Sequence, residues 1–139
     1  MSVKDRLIYL PLGGAGEIGM NCYVYGYGPE GEERLIVVDL GVTFPDMDST
    51  PGVDLIMADV AWLEENADRI DAIFITHAHE DHVGALGHLW PRLRAPVYAR
   101  PFTGAIAKMK MEEAGQPADA VRIVAPRPAM TEAGPFRVQ

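Results

Sequence analysis

The stretch Ile70-Asp71-Ala72-Ile73-Phe74-Ile75-Thr76-His77-Ala78-His79-Glu80-Asp81-His82 decides how the rest of this chain is read. Its first six residues form an apolar run with a single polar break, the pattern of a buried strand. The last seven hold three imidazoles and two carboxylates. A rigid strand ending in a burst of metal-binding side chains indicates a metal site at a sheet edge. His77 and His79 are two apart, so extended backbone turns both rings to one side. Asp81 and His82 are adjacent and would leave a strand on opposite faces, so the chain must turn after His79. The spacing predicts a helix from near Asp81, with Val83, Leu86 and Leu89 or Trp90 on its apolar face. Four donors within six residues crowd a single tetrahedral ion. They suit two neighbouring ions, with His77 and His79 on one and Asp81 and His82 on the other. Two-metal hydrolases hold their ions roughly 3.5–4 Å apart around an activated water, so the chemistry indicated is metal-assisted hydrolysis. The competing reading is a polar loop that is His-rich by chance, and the position at a strand end weighs against it.

Upstream, residues 6–11, 21–27 and 34–39 read as strands joined by glycine-rich turns. In the loop from Thr43 to Asp54, the carboxylates Asp46, Asp48 and Asp54 are open to metal, but turn chemistry explains them equally well. Asp59 is placed to cap a helix carrying Val60, Leu63, Ala67 and Ile70 on one face. Downstream, Pro91 is expected to end the helix after the histidine motif, and Pro96-Val97-Tyr98 reads as a short strand. Phe102, Ile106 and Met109 mark a further helix closing near Gly115. Val121 to Val124 reads as a strand, Ala125 to Pro128 as a connecting loop, and Phe136 to Gln139 as the beginning of another strand. Alternating strands and helices indicate a layered α/β domain.

One pattern points elsewhere. Gly14, Gly16 and Gly19 spell G-x-G-x-x-G after the strand-like Leu7 to Leu10, and Asp39 follows 20 residues beyond Gly19. A dinucleotide-binding fingerprint needs a helix straight after its glycines. Here Asn21-Cys22-Tyr23-Val24-Tyr25 follows, a strand sequence, and the fingerprint fails on its context.

At 139 residues the chain can bury one modest core. No apolar run is long enough to span a membrane. The start lacks the form of a secretory signal, and the single Cys22 fits a reducing, cytoplasmic setting. A net charge of −8 is not the footprint of a nucleic-acid binder, although bound divalent ions add local positive charge. Arg92, Arg94, Arg100, Lys108 and Lys110 gather in one stretch, read as a solvated face ahead of a phosphate-binding patch.

The H-x-H-x-D-H pattern resembles the signature of the metallo-β-lactamase superfamily. The Gly13 to Asn21 run, Val37-Val38-Asp39-Leu40-Gly41, Phe44-Pro45-Asp46 and Gly52-Val53-Asp54 narrow the likeness to the bacterial ribonuclease J family. Ala95 to Tyr98 and Pro101-Phe102-Thr103 continue it over nearly the whole chain. The resemblance implies a partial αββα sandwich, with residues 1–139 as the N-terminal part of a metallo-β-lactamase domain and no β-CASP or C-terminal domain. It implies two divalent ions, zinc expected and manganese the alternative. His77 and His79 would hold the first ion; Asp81 and His82 would hold the second, with Asp81 also orienting the attacking hydroxide. Asp39 would support the metal loop from behind. His88 matches no ligand, and Glu80 occupies a variable position.

The family's remaining ligands, a further His, a bridging Asp and a last His, find no match after His88. The chain is therefore expected to be an N-terminal fragment that binds metal weakly and is inactive alone. The parent activity implied is 5′ exonucleolytic and endonucleolytic RNA hydrolysis in rRNA processing and mRNA decay, by a cytoplasmic homo-oligomer with RNA as its partner and no membrane. Two alternatives stand beside it. A small-molecule thioesterase or lactonase of the superfamily leaves the glycine run and the Asp46 to Asp54 loop unexplained. A non-enzymatic metal-binding module would account for the missing ligands.

Overall fold

A computed structural model describes residues 4–16, 19–45, 52–53 and 55–139. The carboxylates Asp46, Asp48 and Asp54 lie outside the described residues, as do Glu17 and Ile18 of the glycine run. The strands are β1 (Asp5–Gly13), β2 (Cys22–Pro29), β3 (Arg34–Val38), β4 (Val42–Thr43), β5 (Ile56–Met57), β6 (Ile70–Phe74), β7 (Val97–Ala99), β8 (Val121–Ile123), β9 (Thr131–Ala133) and β10 (Phe136–Val138). The helices are α1 (Ala61–Glu65), α2 (Glu80–Val83), α3 (Leu86–Leu93) and α4 (Pro101–Glu113). A six-stranded sheet in the order β1-β2-β3-β6-β7-β8 forms the centre. Its first three strands are antiparallel, and β3, β6, β7 and β8 run parallel. The strand after the glycines confirms that they do not open a dinucleotide site.

Period-two alternation assigns the two faces of this sheet. Val24, Val37, Ile73, Val97 and Val121 point to one side and pack with Leu63, Leu86, Leu89, Leu93, Ala107 and Met111 from the helices. Leu35, Ile73, Leu86 and Met111 are fully buried, and each such side chain contributes about 1.5–3 kcal/mol. On the other face Ile36, Ala72 and Phe74 meet Ala133, Phe136 and Val138 of the β9–β10 hairpin. The same face carries Tyr9 and Tyr25 on β1 and β2, their rings tilted against each other across the strands at 5.2 Å and exposed. This is one sheet with helices on one side and the start of a second layer on the other. No helix among the described residues is long and apolar enough to cross a membrane.

Three expectations are corrected. The helix after the histidine motif is broken: Ala85 donates its N–H to the Leu40 carbonyl at 2.9 Å, so the bond that would join α2 to α3 goes to the end of β3 instead. Pro91 does not end α3 but sits inside it. The helix closes at Arg94, left-handed at φ 55°, whose N–H reaches the Trp90 carbonyl. The helix expected through Ile70 stops at Glu65, and Ile70 begins β6 because the parallel ladder with β3 claims it. Asp59 does accept the Ala61 N–H at 2.9 Å, as a cap would. The short β4–β5 pair and β9 have no signal in the sequence, being only two or three residues long.

Candidate metal centre

Strands β3 and β6 are adjacent and parallel, so their carboxyl ends open at the same sheet edge, where open α/β sheets place their ligands. The Asp39 N–H extends the ladder by one bond to the Phe74 carbonyl at 2.8 Å. Asp39 then turns left-handed at φ 67°, a conformation that Asp tolerates better than most side chains. The residue is 2% exposed, and a carboxylate buried that deeply needs donors.

Three donors meet it. Oδ1 accepts the Thr76 N–H at 2.7 Å, while Oδ2 accepts the Thr76 hydroxyl at 2.7 Å and His82 Nδ1 at 2.7 Å. This fixes the proton positions by elimination. A carboxylate only accepts, so the single Thr76 hydroxyl proton goes to Asp39. The Thr76 oxygen, 2.8 Å from His77 Nδ1, then accepts from that nitrogen. In its neutral form each imidazole then carries its proton on Nδ1 and leaves the Nε2 lone pair open. Their rings lie 4.4 Å apart, and His82 Nε2 is 3.6 Å from Asp81 Oδ2. Two open imidazole nitrogens beside a carboxylate form a donor set suited to a divalent metal ion.

The potential ligand atoms of Asp39, His77 and His82 lie within 4.8 Å of one another. Asp39 belongs to this group by distance, and its Oδ2 also accepts from two protein donors. His79 and Asp81 are not in the group. His79 is exposed and caps α2, its carbonyl accepting the N–H groups of His82 and Val83 at 2.9 and 3.0 Å. The structure thus brings Asp39, His77 and His82 together, sets Asp81 beside His82, and leaves the His79 ring outside that group. His88 is exposed on α3.

The sequence reading assigned no role to four residues that build this geometry. Thr76 links Asp39 to His77. Asn21 donates both its backbone N–H, at 3.0 Å, and its side-chain amide, at 2.9 Å, to the Asp81 carbonyl. Tyr23 donates its hydroxyl to Asn21 Oδ1 at 2.9 Å, and burial, followed by the neighbouring Tyr9 and Asp39, pushes the Tyr23 phenol above its ordinary range. Gly41 permits the contact, since a Cβ there would sit 1.7 Å from the Asp81 carbonyl oxygen. The same holds at Gly14, where a Cβ would come within 2.3 Å of Asn21 Oδ1. Within the glycine run, Gly14 is therefore the residue that packs against the clamp on Asp81. The hydroxyl next to His77 and the Tyr23–Asn21 pair are local contacts; the contacts of Asn21 and Gly41 with Asp81 join residues far apart in the chain.

The family profile of the metallo-beta-lactamase superfamily matches residues 15–137. Over 110 residues the chain is 54% identical to a protein named Ribonuclease J from Sinorhizobium meliloti, covering 79% of this chain and 19% of that one. It is 40% identical over 104 residues to Ribonuclease J 1 of Streptococcus pyogenes serotype M3, covering 75% and 18%. It is 38% identical over 109 residues to Ribonuclease J 2 of Staphylococcus aureus strain NCTC 8325, covering 78% and 18%. The chain thus spans about a fifth of the length of these curated relatives.

Proposed function

The chain belongs to the metallo-beta-lactamase superfamily, and from that premise we propose that residues 1–139 are the N-terminal part of a metallo-β-lactamase domain in a metal-dependent ribonuclease of the J type. The observation that carries this is the hydrogen-bond chain at Asp39, which engages Nδ1 of His82 directly and Nδ1 of His77 through Thr76. His77, His79, Asp81 and His82 are the residues that would hold metal, and Asp39 would hold the loop in place. When bound, divalent ions lower the pKa of water and polarise a phosphoryl oxygen. Zinc is the ion expected of this nitrogen-rich set, with manganese as the alternative. Asp39 and Thr76 fix the tautomers and ring directions of His77 and His82. Asn21 holds the backbone at Asp81, whose carboxylate is 41% exposed and so reachable by a substrate.

The substrate proposed is RNA, cleaved at phosphodiesters from the 5′ end and internally. The names of the relatives support this, and the charge of −8 implies that metal, rather than the protein surface, attracts the phosphates. A cytoplasmic setting and homo-oligomerisation of the longer protein complete the reading. The isolated chain is expected to bind metal weakly and to cleave RNA little or not at all. Calorimetric titration with Zn²⁺ and Mn²⁺, beside the His77→Ala/His82→Ala variant, tests the site; binding that the double substitution leaves unchanged would sink it. Assay of a longer in-frame polypeptide on 5′-monophosphorylated RNA, a thioester and a lactone tests the substrate, and turnover of either small molecule without RNA cleavage would overturn that assignment.

A further inference from the structure

Two of the four donors lie outside the reach of Asp39 and Thr76, and a different helix connects to them. His79 and Asp81 flank Glu80, whose carboxylate makes an ion pair with the Lys110 ammonium on α4. The packing makes room for this approach. A Cβ at Gly87 would sit 2.4 Å from the Lys110 carbonyl oxygen and 2.7 Å from Ala114 Cβ. A Cβ at Gly84 would come within 2.6 Å of a Glu80 carboxylate oxygen. Bare Gly87 therefore lets the end of α4 lie against α3, bare Gly84 leaves room for the Glu80 carboxylate, and Lys110 reaches across to the first residue of α2. Glu80, His88, Lys110 and Glu113 line a cavity of about 290 Å³ on this side. The Lys110 side chain is 21% exposed against 45% for Glu80, so its stem is held in the cleft.

We propose that Lys110 is a positioning residue for His79 and Asp81: by pinning Glu80, it holds the first turn of α2, the backbone that carries the two donors the Asp39 network leaves unsupported. This inference rests on the metal reading above. A pair of this exposure adds little to global stability, so its effect is local, and the turn itself reports on it. The amides of His82 and Val83 bond to the His79 carbonyl, and the amide of Gly84 bonds to the Glu80 carbonyl at 2.9 Å.

The test is amide hydrogen exchange in the metal-free chain, followed by Zn²⁺ affinity from competition with a chromophoric chelator. Lys110→Met keeps the stem and removes the charge, and Lys110→Arg keeps the charge. Lys110→Met is expected to speed exchange at His82, Val83 and Gly84 by roughly ten-fold while Val37 and Ile73 stay unchanged. Zn²⁺ affinity is expected to fall about ten-fold. Lys110→Arg should restore both, and Glu80→Gln should reproduce the loss without adding to it in the double variant. Unchanged exchange in Lys110→Met, or a uniform increase across the sheet that Arg does not rescue, overturns the proposal. If the unsubstituted chain binds no Zn²⁺ while Lys110→Met still quickens the α2 amides, the brace is supported and the metal reading falls.

Discussion

Strand β3 is bracketed by two buried carboxylates, Glu33 before it and Asp39 after it, 1% and 2% exposed and about 20 Å apart along the strand. Each receives three hydrogen bonds. Glu33 takes them from the Gly31 N–H at 2.8 Å, Arg6 Nε at 2.9 Å and Arg69 Nη1 at 3.2 Å. Asp39 takes them from Thr76 twice and from His82. Burial and saturation are the same; the donors differ. Guanidinium groups are permanently charged and offer no lone pair, so the donors around Glu33 present no ligand atom of their own. Imidazole and hydroxyl can pass an acceptor outward, and the Asp39 cluster ends in two imidazoles at the sheet edge.

Removing each acid separates the two roles. Glu33→Ala leaves Arg69, a side chain 14% exposed whose Nε already lacks a partner, without its counter-ion. The expected loss is roughly 3 kcal/mol of stability, read by urea denaturation, with Zn²⁺ affinity unchanged; a change in affinity would break the comparison. Asp39→Ala is expected to lower Zn²⁺ affinity by about 10–100-fold, measured by chelator competition, because both ring orientations lose their support. Retention of full affinity would show that Thr76 and the loop suffice.

The acid limb of stability sharpens the contrast at Glu33. Burial alone would raise its pKa, but the Gly31 N–H and the Arg6 guanidinium outweigh burial and hold it below the ordinary 4.5. Its contribution is therefore complete above about pH 4.5 and is lost as pH falls through the lower folded value. Glu33→Gln is expected to flatten that part of a stability–pH profile, and an unaltered profile would contradict it. The smallest effect reports on Asp39. Burial, and then the Asp39 charge, push the Cys22 thiol from 9.0 up to about 12. Alkylation at pH 8 should be roughly a hundred-fold or more slower in the folded chain than in urea. Asp39→Asn should quicken the folded reaction only a few-fold, since burial is the larger cause.

How much of this was legible in the chain depends on the range of each interaction. The strand 70–74 and the turn at His79 were readable because alternation and adjacent donors are local signals. The loss of one continuous helix beyond Val83 was not, since it depends on Ala85 bonding to Leu40, 45 positions away. Asn21 looked like part of a resemblance without a reason; the reason is a carbonyl 60 positions further on. Glu80 looked like a variable spacer until α4 placed Lys110 against it.

By itself, then, the order of residues determined that a metal-donor cluster follows a buried strand in an α/β chain, because donor chemistry and side-chain periodicity are properties of neighbours in sequence. Which donors meet Asp39, which meet Glu33, and which lysine pairs with Glu80 were decided by the tertiary structure. Hydrogen-bond partners across parallel strands and helix ends are chosen by packing, and packing joins residues that the sequence holds far apart.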